Sequence, residues 1–169
     1  MFTARGGNQM KAEWIFQQGC AFSDCAQALE IENRMKYDVF FATHTHAAIA
    51  LSAFASELFI KCLLEKYNEP YGKTHALDKL WEKYRKVDER SADRIEQCIE
   101  QYFENKTQRV FDQMISESAE AFAQWRYSYE GKELKINRNF IIAFRNVLKD
   151  ECCLKIYGLN WVQYIKQNE

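Results

Sequence analysis

One proline and six glycines in 169 residues leave this chain almost no turn chemistry. That scarcity excludes a fold of many short strands joined by tight turns and favours a few long helices. Cysteine spacing carries no C-x-x-C, and an even count of six is poor evidence for a disulfide framework. The six are expected to be reduced and structural, in a cytoplasmic setting, with Cys62 inside an apolar helix as a small hydrophobe. Charge of one sign is also missing: the net charge is −1 and the pI near 6.3. No global basic field exists to drive non-specific nucleic-acid binding, so such a role needs a local patch. The start, MFTARGGNQMKAEW, has no apolar core segment of the signal-peptide kind. The most apolar run, Val39 to Leu64, is broken by Thr43, His44, Thr45, His46, Ser52, Ser56, Glu57 and Lys61, and reads as too polar for a membrane span.

What is present is a globular composition, 47% hydrophobic, 28% charged and 15% aromatic, in a length that suits one domain. Periodicity of 3.6 residues predicts six or seven helices. These run from about Met10 to Leu29, Lys36 to Tyr67, Thr74 to Tyr84, Glu89 to Asn105, Gln108 to Glu130 and Asn137 to Tyr157. A short C-terminal helix or tail follows over 159–169. The second helix is the longest and most apolar, so it is expected at the centre, ending before Pro70 and Gly72. The fifth carries Phe111, Met114, Ile115, Ser118, Phe122, Trp125 and Tyr129 on one face. The fold class is therefore all-α: an antiparallel up-and-down helical bundle with four or five core helices plus short peripheral ones, a single domain with its core over about 10–157.

A polar stripe crosses the second helix. His46, Ala50, Ala53 and Glu57 fall within about 60° of one another, with Lys61 at the edge of that arc. Glu57 and Lys61 have the favoured i, i+4 order, and burying either charge alone is costly, so partners are expected nearby. The stripe reads either as a polar seam fixing helix register or as a ligand pocket. His44 and His46 point about 200° apart on a helix, so they cannot share one metal ion, and no metal or other cofactor is expected.

The segments ELFIKCLL (Glu57 to Leu64), THALDKLW (Thr74 to Trp81) and WRYSYEG (Trp125 to Gly131) together resemble HEPN-domain proteins. The resemblance spans about residues 10 to 157. It implies a helical bundle that usually forms a homodimer, in toxin–antitoxin, phage-defence or RNA-processing systems. Members of that family cut RNA without a metal, bind RNA or nucleotides without cutting, or pair with a nucleotidyltransferase or antitoxin. Cutting members carry an Arg followed by a His five to seven positions later on one helix. Here Arg138-Asn139 is followed by Ala143, Phe144 and Arg145, and Arg145-Asn146 by Asp150, Glu151 and Cys152, with no histidine after His75. The chain is therefore expected to be non-catalytic, binding RNA, a nucleotide or a protein partner, with no membrane association. An endoribonuclease with a non-standard site and a purely structural adaptor are the alternatives.

Candidate residues follow from both lines. Arg138 and Arg145, seven apart, share a helical face and could grip a phosphate beside Asn139, or be solvated surface charges. Glu151 or Cys152 could move a proton only if specially placed. His75 opens the third helix and could hydrogen-bond the end of the second. His46, Glu57, Lys61, His75, Arg126 and Tyr127 form the expected polar cluster or ligand pocket, with Arg126 the candidate partner of Glu57.

Overall fold

The computed structural model describes residues 4–36, 42–103, 110–120 and 136–169, and among them every regular element is a helix. In chain order these are α1 (Ala4–Lys36), α2 (Ala42–Lys66), α3 (Leu77–Val87), α4 (Glu89–Tyr102), α5 (Val110–Glu117), α6 (Arg138–Tyr157) and α7 (Trp161–Asn168). The all-α expectation holds. α1 is longer than the periodicity suggested, and the C-terminal tail does form a helix. The expected helix over Gln108 to Glu130 is cut short: α5 ends at Glu117 and residues 118–120 form a turn in which the Ala119 carbonyl accepts from the Leu77 N–H, while Phe122, Trp125, Arg126, Tyr127 and Tyr129 lie outside the described residues.

Short-range chemistry sets the helix ends. Asp88 caps α4 by accepting a hydrogen bond from the Ser91 N–H at 3.1 Å, and Asn137 caps α6 by accepting from Phe140 N–H at 3.1 Å. Gly158, at φ +72°, closes α6 in the left-handed conformation and donates its N–H to the Leu154 carbonyl. Asn160 and Gln163 form a capping box at the start of α7. Thr74 does not cap α3. Its hydroxyl accepts from the Ala76 N–H two residues on, and the helix begins at Leu77.

Side-chain pairings give the helix directions. α1 meets α2 through Ala12 with Cys62, Gly19 with Phe59, and Phe22 with Phe54, so numbers rise on one helix as they fall on the other. α1 meets α6 in the same antiparallel sense through Phe16 with Tyr157 and Glu30 with Arg145. α2 and α6, however, run parallel, joined by Ser52 with Arg145 and Phe59 with Cys152. The up-and-down expectation is thus met for α1 against both neighbours and not for the α2–α6 pair. The close α1–α2 approach depends on Gly19, where an added Cβ would sit 2.7 Å from the buried Phe59 ring.

α2 is central, as expected, with Ala53, Ala55, Phe59, Ile60, Cys62, Leu63 and Leu64 fully buried. The span His44–Lys66 is long and apolar enough to cross a membrane by length and composition, contrary to the sequence reading. Within this fold 72% of its most apolar window is packed inside the bundle. Aromatic rings from three helices pack together: Trp81, Phe111, Phe140 and Phe144 lie 5.3 to 5.6 Å apart between centroids, mostly edge to face or tilted.

Two ion-pair networks tie the helices. At the first, the Arg145 guanidinium, 1% exposed, donates to Glu30 at 2.8 Å and to the Ser52 hydroxyl at 2.7 Å. At the second, Asp88 accepts from Lys155 at 2.6 Å and from the Tyr67 hydroxyl, while Arg94 grips both oxygens of Glu151 at 2.9 Å. Burial works against the Asp88 carboxylate, but hydrogen bonds from Lys155, Tyr67 and Ser91 outweigh it and hold its carboxyl well below the usual range.

Two outcomes test these networks. Glu30→Leu leaves Arg145 charged, buried and short of its anionic partner, and should cost about 3 kcal/mol in urea unfolding; a loss within error of zero contradicts the clamp. Asp88→Asn keeps the helix cap and removes only the charge, so it should melt lower than the parent at pH 7. Because the native carboxyl titrates below its unfolded value of about 4, its contribution is present above that pH and fades below it. The melting gap between parent and variant should therefore close as pH falls from about 4 towards 2.

Candidate functional site

The strongest concentration of polar side chains lies where α2 hands over to α3. Asn68, at φ +58°, turns the chain out of α2, and the Tyr67 and Glu69 N–H groups both close on the Leu64 carbonyl. Pro70 prevents the helix from continuing, and Gly72, at φ +67°, supplies the second left-handed turn. This connection folds back along the helix end and lays its side chains over the last two turns of α2.

Glu57 is buried, and one of its oxygens, Oε1, accepts from Lys61 Nζ at 2.7 Å and from His75 Nδ1 at 2.9 Å. The second oxygen, Oε2, is buried with no hydrogen-bond partner among the described residues. A carboxylate only accepts, so His75 carries its proton on Nδ1 and presents the Nε2 lone pair outward. The imidazole is 58% exposed while its carboxylate partner is 2% exposed. A fixed tautomer facing solvent is an arrangement able to accept a proton or a hydrogen bond from a bound molecule.

One turn further on, Lys11 reaches from α1 to Glu65 at 2.7 Å, and that hydrogen bond raises the ammonium pKa. The Tyr71 ring lies between two ammonium groups, Lys11 and Lys61, each 5.6 Å from its centroid. Burial, then the nearby Glu65 charge, pushes the Tyr71 phenol up. Lys11, Glu65, Tyr71 and the 68–72 turn line a cavity of about 340 Å³. Beyond it, α3 carries Lys79, Lys83 and Lys86 at i, i+4 and i+7 on one face, with Glu82 beside them. Lys79 and Lys86 are exposed, and none of the three forms an ion pair among the described residues. Lys83 donates to the Pro70 carbonyl at 3.0 Å, which joins this stripe to the turn. Across 66–90 there are seven basic and five acidic residues, against 23 and 24 in the whole chain.

The expected cluster is therefore brought together in part. Glu57, Lys61 and His75 converge. His46 does not: it is exposed on α2, eleven residues before Glu57, a rise of about 16 Å. Arg126 and Tyr127 lie outside the described residues. The expected phosphate grip at the other end is corrected. Arg145 is interior and committed to Glu30 and Ser52, whereas Arg138 is half-buried and Asn139 exposed. A spacing of seven put the arginines on one face, but that face turns inward at 145 because a buried acid waits there. Glu151 is held by Arg94, and the Cys152 thiol is buried against the Phe59 carbonyl and pushed well above its ordinary pKa. Neither is placed to shuttle a proton. Cys62, Cys152 and Cys153 are buried as structural thiols, whereas Cys25 and Cys98 are exposed and Cys20, half-buried, is pushed up to about 12 by burial. All six are free. Among the described residues no group of His, Cys, Asp or Glu could hold a metal ion.

Sequence reasoning missed the Lys11–Glu65–Tyr71 cavity, because Lys11 joins it from 54 residues away. It also missed the α3 lysine stripe, whose i, i+4, i+7 spacing was legible. Comparison with known proteins gives no match to any protein-family model, to any curated protein or to any solved structure.

The tautomer is directly checkable. In ¹⁵N NMR of the folded protein above pH 7.5, His75 should show the Nδ1–H form; Glu57→Leu should return it mainly to the Nε2–H form usual in water. An unchanged tautomer ratio contradicts the Glu57–His75 bond.

Proposed function

We propose that this chain is a HEPN-like helical domain that binds single-stranded RNA without cutting it, using the α2–α3 turn and the outer face of α3. The observation that carries the reading is the row of amines at Lys79, Lys83 and Lys86, none of them in an ion pair among the described residues, continuous with the turn that holds Tyr71 and leads to His75. Three lysines along one helical face span about 10 Å, a reach that suits successive phosphates of an extended strand. The Tyr71 ring and the outward His75 edge supply what such a strand also needs, a surface for stacking and an acceptor for a base or ribose. The HEPN-like part of the reading is supported by the contact of Glu57, Lys61 and His75, residues drawn from two of the three segments that carry the resemblance.

The non-cutting part rests on chemistry. Of the two α6 arginines expected to face a phosphate, Arg145 is internal and Arg138 half-buried, and no histidine follows either of them in the chain. Metal-free cleavage requires a group that takes the 2′-hydroxyl proton beside a cation that steadies the phosphate. His75 has an available lone pair, but Lys61, the cation that shares its carboxylate, is already held by Glu57.

Fluorescence anisotropy with a labelled 12-nucleotide single strand tests this. Binding should weaken steeply as salt rises from 50 to 200 mM. The triple variant Lys79→Ala/Lys83→Ala/Lys86→Ala should bind at least about 10-fold more weakly and lower the log–log salt slope by about 2. Absence of binding at low salt, or a triple variant that binds like the parent, overturns the assignment. RNA recovered shortened after incubation with pure protein overturns its non-cutting part.

A further inference from the structure

The cavity beside the proline turn carries a specific hydrogen-bonding edge. At about 340 Å³ it is at the small end for a ligand pocket, a space that suits one nucleobase-sized group. Its walls are Lys11 from α1, Glu65 from the last turn of α2, and the 68–72 turn with the Tyr71 ring. Lys11 Nζ lies 2.7 Å from Glu65 Oε2, and the Tyr71 phenol interacts with both groups, which holds its ring beside the pair. The Glu65 side chain is 10% exposed and that of Lys11 58%, so the acceptors are sheltered from water while the amine stands open to it.

A carboxylate oxygen accepts more than one hydrogen bond and an ammonium has three to donate, so the pair keeps capacity beyond its own contact. Along it, Oε1, Oε2 and Nζ present acceptor, acceptor and donor in that order. Guanine has the complement on its Watson–Crick edge, with N2–H and N1–H as donors beside the O6 acceptor. It is the one standard base that matches all three positions. Adenine matches two, through N6–H and N1, and cytosine two, through N4–H and N3. Uracil also matches two, through N3–H and O4, but then sets its O2 against Glu65 Oε1, acceptor to acceptor. A base that leaves the sheltered oxygens unmatched forfeits their hydrogen bonds, and that difference is where selectivity arises.

We infer that the cavity between Lys11, Glu65 and Tyr71 is a pocket for one unpaired guanine base, hydrogen-bonded along its Watson–Crick edge and stacked on the tyrosine. The pocket rests on the RNA reading for the strand that presents the base. Lys83, in the α3 row, donates to the Pro70 carbonyl in the cavity wall, so a strand along that row reaches the pocket.

Anisotropy with 12-nucleotide uridine strands carrying one central guanine, adenine, cytosine or inosine base tests the preference. The guanine strand should bind about 10-fold more tightly than the adenine and cytosine strands, with inosine, which lacks the N2 amino group, in between. Glu65→Gln turns an acceptor into a donor and should bring the guanine-to-adenine ratio to about 1. Should that variant lose its helical circular dichroism spectrum, Lys11→Met, at an exposed side chain, removes the O6 donor and should lower the ratio instead. Free guanosine and adenosine are titrated in parallel against the parent by calorimetry, and guanosine should bind more tightly. Guanosine bound by a protein that holds no strand overturns the RNA reading and keeps the pocket. Strands bound alike whatever the central base, with guanosine no tighter than adenosine, overturn the pocket and leave the RNA reading standing. A guanine preference undiminished in a folded Glu65→Gln or Lys11→Met variant also overturns the pocket.

Discussion

The buried Arg145 guanidinium is the constraint around which the bundle is arranged. It sits on α6, takes its counter-charge from Glu30 on α1 and a hydroxyl from Ser52 on α2, and so touches all three helices that form the main core. A guanidinium cannot be neutralised by losing a proton at any ordinary pH, so its partners must be present whenever the chain is folded. That requirement fixes the axial positions of α1 and α2 against α6. Apolar packing alone would tolerate one-turn slips between long rods lined with Ala, Leu and Phe; a buried charge does not. The price is that the residue is withdrawn from any surface chemistry.

Once α1, α2 and α6 are locked, two adjoining polar networks near the C-terminal end of α2 differ in character. At one, Asp88, Tyr67, Lys155, Glu151 and Arg94 neutralise one another in a closed network that fastens α4 to α6. At the neighbouring turn the polar groups are left incomplete. Glu57 uses one oxygen for two donors and has none on the other among the described residues, the His75 ring is exposed, and two amines lie near the Tyr71 ring over a cavity. A closed network stabilises and does little else, whereas an incomplete one keeps donors and acceptors for a bound molecule. That contrast, more than any single residue, locates the candidate site at the turn.

Much of the helical architecture was readable because it is written in local terms. The apolar period of α2, the scarcity of proline and glycine, and Asp88, Asn137 and Gly158 at helix ends act within a few residues of themselves. The meeting of Glu57 with Lys61 is a matter of one helical turn, and that of His75 with Glu57 follows from the short connection between them. The roles of Arg138 and Arg145 were not legible. Helical spacing gives a face but not what that face looks at, and Glu30, the partner that draws Arg145 inward, lies 115 residues away.

The sequence by itself determined that this chain is helical, where α4 begins and where α6 begins and ends, and that a carboxylate, an amine and an imidazole gather near its proline. Those outcomes are set by dihedral preference, capping and 3.6-residue periodicity, which act over one or two turns. Only the tertiary structure decided that α2 and α6 lie parallel, that one arginine is internal, and that Lys11 completes a cavity across from Glu65. Each of these depends on which distant surface a helix meets, and burial of charge, unlike helix formation, is settled by partners far away in the chain.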